Sequence, residues 1–152
     1  MKPVITRTAG AALALILATL MACDDSGTDA SQALTDWVAT KKAELPRNLN
    51  DFVWSDVRRY ENQIIATYQT GSESGAAQMA QDAAAFAAVT EAVCSVTDMD
   101  VVWQASAEHY VSLQNASGEV LHTIQTKAFD CCVLSKRSTM SLQQAQYECP
   151  YE

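Results

Sequence analysis

Cys131 and Cys132 are neighbours in this chain, and that adjacency constrains its fold more than any other feature. A bridge between them would strain the peptide bond that joins them, so each sulfur needs a partner elsewhere. Adjacent strand residues point to opposite faces, which would let the two serve different partners. Three further cysteines stand at positions 23, 94 and 149. The length of 152 residues suits one ordinary domain. With 49% hydrophobic residues and three tryptophans, the chain does not have the composition of a disordered protein. Its 18 acidic residues outnumber 10 basic ones, and no Lys/Arg cluster occurs, so no nucleic-acid partner is expected.

Lys2 and Arg7 precede an apolar run at 9–22. This is the pattern of a signal peptide, and the run is shorter than the ~20 apolar residues that span a bilayer. It ends Leu20-Met21-Ala22-Cys23, which resembles the lipobox of bacterial lipoproteins. The resemblance implies that the Cys23 thiol receives a diacylglycerol and that the peptide is cut before it. Acyl chains such as palmitate would then anchor the protein in the membrane, at about 0.8 kcal/mol per buried CH₂. Asp24-Asp25 resembles the signal that retains a lipoprotein in the inner membrane, facing the periplasm. On this reading residues 1–22 are signal peptide, 23–32 a polar tether and 33–152 a single domain. Loss of Lys2 and Arg7 moves the formal charge from −8 to −10. Anionic headgroups repel such a body, so the lipid has to do the anchoring.

With Cys23 lipidated, Cys94, Cys131, Cys132 and Cys149 remain. An even number in an exported chain predicts two disulfides. Both pairings that avoid a vicinal bridge tie Cys94 to one vicinal cysteine and Cys149 to the other. No C-x-x-C occurs, so the spacing favours structural staples over zinc or redox chemistry, and no cofactor is expected.

Leu34, Trp37, Val38 and Leu45 fall at helical spacing and predict an amphipathic helix of about three turns ending before Pro46. Core packing accounts for its apolar face; the rival reading is a partner-binding face around Trp37, Lys41 and Lys42. Aromatic and β-branched residues predict strands at 52–59 and 63–70, with a turn at Glu61-Asn62. Nine alanines within 76–94 predict a helix whose stripe Met79, Ala83, Phe86, Ala87, Thr90, Val93 and Cys94 faces the core. Asp98 is placed to cap a short helix holding Met99, Val102 and Trp103.

Alternation at 108–114 and 119–129, about Asn115-Ala116-Ser117-Gly118, predicts a second hairpin. Pairing Gln114 with Glu119 puts Val111, Leu113, Val120 and Ile124 on one face and makes His109 and His122 diagonal neighbours. Continued alternation places Cys132 inside and Cys131 outside, which favours Cys94–Cys132 and Cys131–Cys149. Ser141-x-x-Gln144 reads as a capping box before a last helical turn. The order predicts an α+β domain: an antiparallel sheet of two hairpins, helices packed on one face, stapled by disulfides. It resembles small exported proteobacterial domains of unassigned function with a helix-to-sheet disulfide, a resemblance that implies no site.

No G-x-S-x-G, H-E-x-x-H, P-loop or dinucleotide fingerprint occurs. His109 and His122 would need a third ligand to hold a metal, and Glu108 points the other way, so membership of a sheet face explains them more simply. Helix capping and solvation explain Asp98, Asp100 and Glu91 better than calcium does. Asn115-Ala116-Ser117 reads as a turn rather than a glycosylation sequon. Arg58 and Arg59 point to opposite faces. These features favour a membrane-anchored module that binds an envelope protein as inhibitor, immunity, exclusion or assembly factor. Interface energy concentrates in Trp, Tyr and Arg, which makes Trp37 and Arg58 the first interface candidates. The alternatives are a small periplasmic enzyme or metal-binding protein built on His109 and His122, and a structural envelope lipoprotein.

Overall fold

The structure, a computed structural model, describes residues 26–71 and 82–150. The expected signal peptide, Cys23, Asp24-Asp25 and residues 76–81 of the predicted alanine-rich helix lie outside the described residues. The chain runs α1 (Ser26–Ala43), β1 (Arg47–Leu49), β2 (Phe52–Tyr60), β3 (Gln63–Thr70), α2 (Asp82–Cys94), α3 (Asp100–Gln104), β4 (Glu108–Gln114), β5 (Val120–Thr126), α4 (Ala128–Lys136) and α5 (Leu142–Glu148). This is an α+β fold around one five-stranded sheet, ordered β1 to β5. The sheet contains both expected hairpins, β2–β3 and β4–β5, each antiparallel. They join side by side through a parallel β3–β4 pair, because α2 and α3 carry the chain back along the sheet as a parallel neighbour requires. Short β1 was not visible in the alternation, since three residues hold too little of it to register.

One sheet face is buried by Trp54 and Val57 of β2, Ile64, Ala66 and Tyr68 of β3, and Val111 and Leu113 of β4. α1 lies over β2 with Leu34, Trp37 and Lys41 on its buried stripe. Trp37 is only 5% exposed and stacks 6.4 Å from Trp54, which itself lies 6.0 Å from Tyr68. The expected core packing of this helix face is what the structure has, and the rival candidacy of Trp37 as an interface residue is corrected. The buried Lys41 ammonium reaches Glu44 and Asp98, both at 3.6 Å. Asp98 thus serves an ion pair, while Met99 occupies the cap of α3 without a side-chain cap bond.

α1 starts at Ser26, inside the segment expected as tether. Arg59 holds that end, donating to the Ser31 carbonyl and the Thr35 hydroxyl at 2.6 Å each and to the Ser31 hydroxyl at 2.9 Å. α2 corrects the predicted stripe. Its buried face is Ala85, Val89, Ala92 and Val93, with Thr90, whereas Ala83, Phe86 and Ala87 face out. Small side chains at 85 and 92 permit close approach to the sheet, and the bulkier Phe86 is turned away.

The second hairpin keeps its turn, where Asn115 Oδ1 accepts from the Ser117 and Glu119 amides and Gly118 takes a φ of 85°. Its register differs by two residues from the expected one: Val111 faces Ile124 and Leu113 faces His122. A bulge between Leu113 and Gln114 leaves Leu121 unpaired and moves Val120 off the inner face, to 53% exposure.

Candidate partner-binding site

The chain does not continue β5 through the cysteines, as the alternation predicted. It turns into α4 after Lys127, whose amide donates to the Asp130 carboxylate at 3.0 Å. Successive helix residues diverge by about 100°, not the 180° of a strand. Cys131 therefore meets Cys94 at the end of α2, and Cys132 meets Cys149 just beyond α5, with Cα separations of 5.3 and 5.9 Å. The favoured pairing of Cys94 with Cys132 and Cys131 with Cys149 is corrected accordingly. The vicinal pair makes α4 a hub fixed to α2 on one side and α5 on the other.

Ser141 caps α5, its hydroxyl accepting from the Gln144 amide at 3.3 Å, and Lys136 reaches across to Glu148 at 2.9 Å. Val133, Ala145 and Cys149 form a small second core there, with Phe129, Cys132 and Met140 against it. A groove of about 230 Å³ opens between α2, α4 and α5. Its lips are Phe86 and Leu142, 41% and 48% exposed, and its walls include Phe129, Val133 and Leu134. Asp130 and Arg137 also line it. So does Thr90, whose buried hydroxyl has no hydrogen-bond partner among the described residues.

A second cleft of about 440 Å³ lies at the shared end of β4 and β5, lined by Trp103, Glu108, Gln125, Thr126, Lys127 and Phe129. Phe129 lines both cavities. Behind the second cleft, the buried His109 ring holds the Thr126 hydroxyl at 2.6 Å and packs edge-on 5.9 Å from Trp103. Burial lowers the His109 pKa to about 4, so the ring is neutral at ordinary pH.

The observed register separates the two histidines. His109 faces Thr126 and His122 faces Leu113, four residues apart, or about 13 Å along the strands. The metal-pair alternative loses its geometry, and among the described residues no group of three His, Cys, Asp or Glu is placed to hold a metal ion. Arg58 is exposed, as its candidacy required, and its guanidinium binds the Asp56 carboxylate at 2.6 Å. Nothing in the sequence pattern marks Phe86, Leu142 or Phe129 as candidate site residues. An alanine-rich helix is apolar on every side, so its periodicity does not say which way Phe86 points.

No protein-family model matches the sequence, and no curated protein matches it. Three solved structures share the fold. A protein of Pseudomonas aeruginosa described as secreted aligns with a TM-score of 0.55 and 16% identity, over 71% of this chain and 97% of its own. The pilotin EpsS of the Vibrio vulnificus type 2 secretion system aligns at 0.54 and 10% identity, over 69% of this chain and 94% of its own. The type II secretion system pilotin AspS of Vibrio cholerae aligns at 0.53 and 8% identity, over the same shares, 69% and 94%. At these identities the likeness is one of fold.

Proposed function

We propose that this chain is a lipid-anchored envelope protein, held by Cys23 and facing the periplasm, that binds a protein partner through the groove between α2, α4 and α5. The observation that carries this reading is the pair of half-exposed apolar lips, Phe86 and Leu142, on a groove fixed by two disulfides. Covering such lips releases ordered water, contributing roughly 1 kcal/mol for each half-exposed side chain. The disulfides keep the helices apart at a set spacing, so little ordering cost falls on binding. Among inhibitor, immunity, exclusion and assembly roles, the likeness to two secretion-system pilotins favours assembly. Asp24-Asp25 favours the inner membrane, and the comparisons lend that choice no support.

The test is capture from detergent-solubilised membranes with the partner identified by mass spectrometry. A Phe86→Ser, Leu142→Ser double variant, folded and membrane-bound as wild type, should lose the partner by about tenfold or more. Undiminished capture would overturn the groove as the binding site.

A further inference from the structure

Among the described residues β5 is the last strand of the sheet, and no strand lies beyond its outer side. What that side presents follows from β4. The Glu108 amide donates to the Asn62 carbonyl, toward β3. Main-chain groups alternate sides along a strand, so Glu108, Tyr110 and Ser112 address β3, whereas His109, Val111 and Leu113 address β5. Their opposite numbers Thr126, Ile124 and His122 turn N–H and C=O inward to β4. Thr123 and Gln125 must then turn theirs outward. Both residues are exposed, and among the described residues nothing hydrogen-bonds to those outward groups.

Edge strands are commonly guarded by Lys, by Pro or by inward charge. β5 reads Val-Leu-His-Thr-Ile-Gln-Thr and carries none of these. Its one irregularity, the bulge opposite Leu113 and Gln114, is confined to the first residues.

Resting on the reading of this chain as a protein-binding module, we propose that β5 receives an added strand from an extended, neutral-to-basic segment of the partner. The outward groups at Thr123 and Gln125 repeat every second residue, about 6.8 Å apart, a spacing that extended backbone matches. A second copy of this chain is disfavoured by its charge of −8, or −10 without residues 1–22. The cleft at the end of β5 is lined by Gln125, Trp103 and Phe129, which suits an apolar side chain carried by the added segment.

The probe is the acetylated, amidated octapeptide Lys-Thr-Val-Thr-Val-Thr-Val-Lys, set against a version N-methylated at its six central amides. The protein is the disulfide-intact full chain, read by residue-resolved amide exchange. In the free protein, the Thr123 and Gln125 amides should exchange fast while those of Ile124 and Thr126 exchange slowly. The peptide at about 1 mM should slow Thr123 and Gln125 about tenfold, and the N-methylated version should not. Thr123→Pro should abolish the effect; if that variant fails to fold, the N-methylated peptide still decides the matter. Three results would each overturn the proposal. These are outward amides already protected in the free protein, by its own residues or a second copy; no protection by the peptide; and equal protection by its N-methylated form. The Phe86→Ser, Leu142→Ser variant should respond to the peptide as wild type does. Failure of the groove reading and failure of strand addition are thereby separated.

Discussion

His109 is neutral because it is buried, with its folded pKa lowered to about 4 from the ordinary 6.5. A lowered folded value favours the neutral ring, so its contribution is complete above pH 6.5 and is lost as pH falls through 4. The loss totals roughly 3 kcal/mol, at 1.36 kcal/mol per unit. Urea unfolding of wild type and His109→Gln between pH 7 and pH 4 checks this, since the wild-type stability should fall more steeply. Parallel slopes would mean that the ring is not buried neutral. Arg59 has a different task, gripping α1 through Ser31 and Thr35. Arg59→Ala should cost about 1–2 kcal/mol, and exchange should rise in the first turns of α1 before anywhere else. Nothing local in the sequence separates Arg59 from Arg58 beyond their alternation. Which of them finds a helix depends on where α1 lies.

α4 shows where local pattern misleads. Residues 128–136 carry no period strong enough to oppose a continued strand, yet Lys127 and Asp130 close a helical start and the cysteines then diverge as helix residues do. The Cys132–Cys149 link spans 17 residues and the Cys94–Cys131 link 37. Chain-entropy arguments give about 3 and about 4 kcal/mol respectively. Replacing Cys132 and Cys149 together with Ser should lower stability by about 3 kcal/mol and raise exchange in α5, leaving the sheet protected. If α2 and the sheet loosen equally, the small second core around Val133, Ala145 and Cys149 does not hold α5 independently of the sheet. The strands β2, β3 and β4 were legible almost to the residue, because their burial alternates with the pleat. α2 was legible as a helix but not as a face, since nine alanines within 76–94 blur the apolar stripe.

The whole molecule is an acidic body, and no helix among the described residues is long and apolar enough to cross a membrane. If Cys23 carries the anchor, Cys23→Ser should leave an uncut precursor and abolish labelling by radioactive palmitate. Continued labelling would exclude Cys23 as the acylation site, and density-gradient fractionation of wild type would distinguish inner from outer membrane. Several features were determined by sequence alone: the acidic balance, the two hairpins and their turns, and the α+β class. Each depends on neighbouring residues or on totals, and physical chemistry acts on these before the chain is folded. Tertiary structure alone decided the parallel β3–β4 seam, the two-residue register shift, which vicinal cysteine meets Cys94 and which Cys149, and the exposure of Phe86 and Leu142. Each of these depends on which surfaces meet at long sequence separation. Several arrangements there bury comparable apolar area, and packing of particular side chains, such as small alanines against a sheet, selects among them.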